Sequence, residues 1–309
     1  MKYETYQFRA MASPCEIKAW VPENSVDKLL ERIAQEAVRL EKKYSRYIDD
    51  SVTSIINRAA GKHPVEIDEE TLGLLDFAEA SWRQSNGLFD LTSGILRRAW
   101  DFKSGLLPSQ YQIDELLPLV GWDKVIRSRT SIFLPNVGME IDFGGIVKEF
   151  AVDRLVAMAK VNGLKHGLVN MGGDIHIFGP EPDGSPQVVG VRHPREDRIK
   201  AGIPIHAGAM ATSGDYERYI EVDGQRFCHI LNPKTGWPCA EWQSVSVIAP
   251  QCVMAGIASS VAMLMPKEQA IEWLKSQNFM FLLIDADDVI SHGLSPARAV
   301  GDALVTSEL

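Results

Sequence analysis

The chain has 309 residues, 45% apolar and 24% charged, enough for one large domain or two intimately packed ones with a full-sized core. A net charge of −9, with no basic run interleaved with aromatics, argues against capture of a nucleic-acid backbone. The four cysteines, at 15, 228, 239 and 252, lack C-x-x-C pairing or zinc spacing and read as reduced thiols. The N-terminus has no apolar h-region, and no apolar run reaches the roughly 18 residues of a membrane helix. The expectation is therefore a soluble, cytoplasmic protein without membrane insertion.

Residues 5–21 alternate like a strand pair broken at Ser13-Pro14, and Pro22 ends that region. From Asn24 or Ser25, either one available as N-cap, Leu29, Leu30, Ile33, Ala37, Leu40 and Tyr44 recur at helical spacing. That helix gives way at Ser45-Arg46-Tyr47. Asp49-Asp50-Ser51 reads as a cap or turn before a short helix over 52–59, which Gly61 ends. Asp68 caps a second helix through Trp82, with Gly87 where a C-terminal glycine belongs. After Phe89-Asp90-Leu91-Thr92-Ser93-Gly94 a short helix runs to Trp100. Residues 103–129, with Pro108, Pro118 and Gly121, read as a loop holding one helix near 112–117, and 132–134 and 139–143 as a hairpin.

The stretch 142–178 reads as a short strand, a glycine turn, a long amphipathic helix and a return strand that meets a second glycine turn. Gly144-Gly145 and Gly172-Gly173 bracket it, each beside a carboxylate, Asp142 and Asp174. Glycines let a backbone approach a ligand, and a helix N-terminus offers unpaired N–H groups to an anion such as a pyrophosphate. Ordinary αβ connections share this pattern. Further strands are expected at 188–192, 219–222 and 227–231, the last two joined by the hairpin signal Asp223-Gly224. A strand over 243–248, a small-residue helix over 253–264, a helix over 268–276, a buried strand over 279–284 and a last strand after 285–288 complete the order. Strands and helices mix without strict βαβ alternation, which predicts α+β rather than a doubly wound sheet.

Three more segments carry chemistry-bearing residues. Ala211-Thr212-Ser213-Gly214-Asp215-Tyr216 reads as a turn between strands, either an ordinary hydrogen-bonded turn or a donor nest for phosphate. His229 leads into Asn232-Pro233-Lys234-Thr235-Gly236, placed as a base or phosphate holder, or as a structural histidine. The run Ala255-Gly256-Ile257-Ala258-Ser259-Ser260 reads first as close helix packing.

In this order, together with Met11-Ala12-Ser13-Pro14, Ser45-Arg46-Tyr47 through Ser51 and Asn57, and SVSVIAP, these segments resemble the ApbE family of flavin transferases. The resemblance runs from about residue 8 to about 285. It implies an α+β architecture over 1–309 with a flavin cleft between two closely packed lobes. It implies FAD as substrate, a divalent metal such as Mg²⁺ at the pyrophosphate, transfer of FMN to a Ser/Thr hydroxyl of an acceptor flavoprotein, and release of AMP. On that pattern Met11 and Tyr47 contact the flavin and adenine, and Leu88, Phe89 and Asp90 line the pocket. Gly144 to Phe150 face the pyrophosphate, His229 and Ser213 are catalytic, and Gly214 adjoins them. The metal set corresponds to Val147, by its carbonyl, with Ser259 and Ser260. The family's aspartate on the small-residue helix is Gly256 here, so the only carboxylate of that set is missing. Glu149 replaces a glycine after the turn lysine and either repels the ligand or supplies a replacement, and Asn232 replaces an aspartate. Three activities stay open on this pattern: a transferase, a flavin-binding protein of the same fold, and an FAD pyrophosphatase. An aspartate at 256 is expected to raise metal-dependent turnover if its absence is the defect.

Overall fold

In the computed structural model, which describes residues 1–23 and 28–293, the alternating N-terminal stretch folds as a hairpin. Strands β1 (Lys2–Ala10) and β2 (Ser13–Val21) pair antiparallel along their whole length. The turn falls at Met11-Ala12 rather than at the expected Ser13-Pro14. Both turn residues have positive φ, 52° and 60°, the twist that a two-residue connection between antiparallel strands requires. Pro14 lies inside β2, opposite Arg9.

Helix α1 (Leu29–Tyr44) buries the stripe read from its sequence, Leu29, Leu30, Ile33, Ala37, Leu40 and Tyr44. The N-cap expected at Asn24 or Ser25 lies outside the described residues. Helix α2 (Val52–Ala59) starts at Ser51, whose hydroxyl accepts the Ser54 N–H. After β3 (Val65–Glu66), α3 (Glu69–Gln84) starts at Asp68, whose carboxylate accepts the Thr71 N–H. A 3-10 stretch, Leu91–Arg98, leads to α4 (Gln110–Leu116), which opens on a Ser109–Gln112 capping box.

The hairpin expected between 132–134 and 139–143 does not form. Strand β5 (Ser131–Phe133) is flanked by β3 and by β4 (Ile126–Arg127), which use both of its edges. Residues 139–141 are left as irregular backbone, and the Asn57 amide holds them by donating to the Ile141 carbonyl (3.0 Å) and accepting its N–H (2.8 Å). Asp142 then caps a single 3-10 turn, Phe143–Gly145, where a strand was expected.

The remainder is α5 (Val147–Val161), β6 (Gly167–Met171), β7 (Asp174–Gly179), β8 (Gln187–Arg192), β9 (Ile199–Ile205) and β10 (Gly208–Gly214). Then follow β11 (Tyr219–Val222), β12 (Gln225–Cys228), β13 (Trp242–Ala249), α6 (Cys252–Met263), α7 (Lys267–Ser276), β14 (Met280–Asp285) and β15 (Ile290–His292). Asp223 and Gly224 form the expected turn, at φ 51° and 79°. Ala211 to Gly214, read as a turn, are strand β10, paired with β7 and β13.

Eight strands make one antiparallel sheet in the order β1-β2-β6-β7-β10-β13-β14-β15, so the fold is α+β. Helices α1, α5 and α6 cover one face over Ile17, Leu40, Phe143, Leu155, Val245, Val247 and Phe281. The β8–β9 ribbon covers the other, where Val189, Val191, Ile203 and Ile205 pack on Ile177, Met210 and Ile248. Strand β13 lies between the two layers and is buried at every position. At about 1.5–3 kcal/mol per buried aliphatic side chain, these layers fix where α5 and α6 meet. Among the described residues no helix is long and apolar enough to cross a membrane.

Candidate functional site

The site is organised by the start of α5. Its first residue, Val147, follows Ile146 with no side-chain cap, so the first-turn N–H groups have no partner from a capping side chain. In front of them lie Gly144 and Gly145, both exposed. Asp142 shapes this turn: its carboxylate accepts the Gly144 N–H at 2.9 Å and pairs with Arg46, and its own N–H donates to the Leu91 carbonyl at 2.9 Å. A Cβ added at Gly94 would run into Asp142, so that glycine lets the 89–94 segment close on the turn. The Phe89 ring lies against Gly145. Bare backbone, free N–H groups and a positive helix end are what an anion such as a pyrophosphate needs.

Behind this turn two buried acidic side chains, Glu149 and Asp174, meet the half-buried Lys148. Lys148 Nζ lies 2.5 Å from Asp174 and 3.9 Å from Glu149. Burial works against the Lys148 cation, but Asp174 and then Glu149 more than offset it and hold its pKa above the ordinary lysine value. Glu149 goes the other way: burial first, and then the Asp174 carboxylate, push its pKa well above the usual carboxylate range. Its Oε2 has no hydrogen-bond partner. The Met11 turn joins this cluster through the second glycine pair, because Gly172 donates its N–H to the Pro14 carbonyl at 2.9 Å and packs on Ser13.

Glu149 faces Gly256. An ideal Cβ on Gly256 would lie 2.5 Å from Glu149 Cγ and 3.3 Å from Oε1. An aspartate added at 256 would therefore share its space with a carboxylate already there. One turn on, the Ser259 hydroxyl meets the Gly256 carbonyl at 3.0 Å and Ser213 Oγ at 2.8 Å, and Ser213 lies 3.2 Å from Ser260. The resemblance implies a divalent cation here, and such a cation wants oxygen donors with negative charge among them. The orphaned Glu149 oxygen, the serine hydroxyls and Val147 at the head of α5 fit that donor type. No group of three or more His, Cys, Asp or Glu gathers as a ligand set among the described residues, so phosphate oxygens would have to complete the shell.

His229 follows β12, its N–H donating to the Arg218 carbonyl at 3.0 Å. The residue is exposed on the cleft, yet crowding by the surrounding protein, followed by the Arg218 charge, lowers its pKa to about 4. Both effects favour the neutral imidazole. Tyr47 is 80% exposed, an unusual place for a tyrosine ring, with the Arg46 guanidinium 4.9 Å from its centroid and donating to its hydroxyl at 2.8 Å. Arg46, and at longer range Arg218 and Arg97, lower its pKa, which places three cations around one open rim.

Some expected site residues also carry structural contacts. The Asp90 carboxylate accepts Thr92 N–H (2.8 Å), Thr92 Oγ1–H (2.6 Å) and Trp122 N–H (2.9 Å), and burial raises its pKa. Gly214 is glycine because a Cβ would strike the Tyr216 ring. Leu88 and Phe150 are half-buried and pack on the main core. A cavity of about 630 Å³ adjoins Asp90, lined also by Trp82, Asn86, Gly87, Val120 and Lys234, but Met11, Tyr47, Ser213 and His229 lie outside it. The Asn232–Gly236 turn beside it is pinned by Trp100, whose indole donates to the Gly236 carbonyl at 2.8 Å. Sequence reasoning missed Arg97 and Arg218, which have no motif of their own. It also missed Asp153 on α5: its carboxylate accepts the N–H groups of Cys252 (2.8 Å) and Val253 (3.0 Å) and a hydrogen bond from His176 (2.6 Å), capping α6 from another helix.

Comparison with known proteins gives consistent matches. The family model of the ApbE family matches residues 11–283. An FAD:protein FMN transferase of Klebsiella pneumoniae is 31% identical over 252 residues, 79% of this chain and 77% of that one. One from Treponema pallidum is 28% identical over 274 residues, 82% of this chain and 76% of that one. The crystal structure of the ApbE protein from Thermotoga maritima superposes with a TM-score of 0.88 at 30% identity, covering 94% of this chain and 97% of that one.

Proposed function

This chain belongs to the ApbE family, and from that membership we propose that it is an FAD:protein FMN transferase, working as one domain with its cleft between two lobes. It moves FMN from FAD to a Ser or Thr hydroxyl of a cytoplasmic acceptor flavoprotein and releases AMP. The observation that supports this best is the uncapped α5 N-terminus behind the exposed Gly144-Gly145 turn, ready for a pyrophosphate. In the reaction the acceptor oxygen bonds to the phosphorus of the FMN half as the bridging P–O bond breaks, and that electron pair leaves with AMP. His229, unprotonated at neutral pH, accepts the hydroxyl proton, and Ser213 orients it through the Ser259 and Ser260 hydroxyls. Arg46, Arg97 and Arg218 favour the anionic ligand electrostatically at the rim. The exposed Tyr47 ring stacks on one flat ring of FAD, while Met11, Leu88 and Phe89 line the cleft. Mg²⁺, held by Val147, Ser259, Ser260 and phosphate oxygens, would stabilise charge developing on the pyrophosphate.

The test is incubation with FAD, Mg²⁺ and a Thr-containing acceptor, following AMP release and flavin fluorescence on the acceptor. AMP with a flavinylated acceptor is the expected result. AMP alone would mean that water is the acceptor, and FAD that survives intact would overturn catalysis altogether. His229→Ala should lower turnover by roughly 10²–10⁴-fold if it carries the proton.

A further inference from the structure

We propose that Glu149, reaching from α5, is the carboxylate ligand of the divalent cation, occupying the volume that a side chain at position 256 of α6 would fill. The proposal rests on the flavin transferase reading for the identity of the ligand beside the cation, and on this chain alone for the carboxylate. Any Cβ at 256 would come within 2.5 Å of Glu149 Cγ and 3.1 Å of Cδ, so the two positions share one space. Glu149 is 9% exposed and its Oε2 has no hydrogen-bond partner. A buried carboxylate charge left this way is costly, and either a proton or a cation relieves it. Lys148 pairs chiefly with Asp174, its Nζ at 2.5 Å, and reaches Glu149 only at Oε1, at 3.9 Å, so Oε2 is the oxygen left without a partner. The neutral oxygens that accompany a hard cation are adjacent. Ser259 and Ser260 follow Gly256 by three and four positions, on one face of α6, with Ser213 linking both hydroxyls. Carboxylate, hydroxyls and the head of α5 thus converge where the pyrophosphate would lie.

The experiment is a Mn²⁺ titration of the full chain, read by loss of the free-ion EPR signal, with and without FAD, while flavin fluorescence reports FAD binding in metal-free buffer. Glu149→Gln keeps the shape and removes the charge. It should weaken Mn²⁺ by roughly tenfold or more, the scale seen when even a residue hydrogen-bonded to a ligand is lost, with metal-free FAD binding and circular dichroism retained. The pair Glu149→Gly with Gly256→Asp returns the carboxylate from α6 and should recover Mn²⁺ affinity that Glu149→Gly alone loses. Equal Mn²⁺ affinity in the unsubstituted protein and Glu149→Gln would overturn the proposal and leave Glu149 as a proton-sharing neighbour of Asp174. So would an unsubstituted protein that binds no Mn²⁺ in either condition. Failure of FAD to bind the unsubstituted protein would sink the transferase reading, whereas the titration of the protein alone still decides for or against Glu149.

Discussion

Asp153 gives the most direct test of how α6 is held. Replacing it with alanine removes the acceptor for two backbone N–H groups at the start of that helix, those of Cys252 and Val253, and the partner of His176. Cys252, Val253 and His176 are all buried, so water reaches the freed donors poorly. Loss of a helix N-cap costs about 1–2 kcal/mol, and an orphaned buried donor adds about 1–3 kcal/mol. The two overlap, because one freed N–H is counted in each, and the net expectation is about 2–4 kcal/mol. Urea unfolding followed by tryptophan fluorescence measures it, as a lower midpoint with unchanged m. Asp153→Asn, which keeps one acceptor oxygen, should lose roughly half as much. Turnover should fall in both variants, because α6 carries Ser259 and Ser260 to Ser213. An alanine variant within about 0.5 kcal/mol of the unsubstituted protein, the range of an ordinary surface change, would refute the reasoning. Equal losses in the two variants would refute the role given to the acceptor oxygens.

Two further outcomes follow from the cleft. The His229 pKa of about 4 lies below its ordinary 6.5, so the unfolded chain binds this proton more readily. This residue's contribution to stability should fall as pH drops from about 6.5 towards 4, and the acid limb of kcat/KM should lie well below pH 6.5. An imidazole titrating at or above 6.5 by NMR would contradict both. Gly94→Ala drives a methyl group into Asp142 and should detach it from Arg46 and the Gly144 N–H. FAD affinity, followed by fluorescence quenching, should drop by about tenfold, the equivalent of one charge-assisted hydrogen bond. Unaltered binding would show that the Asp142 turn does not face the ligand.

Elements with a local signal were legible in the chain. Ser51 and Asp68 each announce a helix by a cap three residues upstream of its bonded N–H, and Asp223-Gly224 announces a turn by its tolerance of positive φ. Strand β10 was not legible: Ala211 and Gly214 have weak strand preference, and the strand conformation comes from pairing on both sides with β7 and β13. The misread hairpin at 132–143 has the same origin, since β5 takes partners about 5 and 67 residues away in the chain (127 against 132, 65 against 132). Within the site, motif order pointed to His229, Ser213 and the glycine turn. Asp153 stayed silent because the groups it bonds lie 99 and 100 positions further on. Gly256 and Glu149 were each visible as departures, but their being neighbours in space was not.

The shared volume between positions 149 and 256 also constrains how such a chain can change over generations. With glutamate at 149, any Cβ at 256 comes within 2.5 Å of its Cγ, so a side chain there forces the glutamate to shift. Moving the carboxylate from one helix to the other therefore takes two substitutions. One order passes through a chain with no carboxylate in that volume, and the other through a chain with two side chains competing for it. Because the two positions share one volume, the effects of the two changes are expected not to add. A residue exchanged at one of these positions without the other is accordingly a poor guide to what that position does.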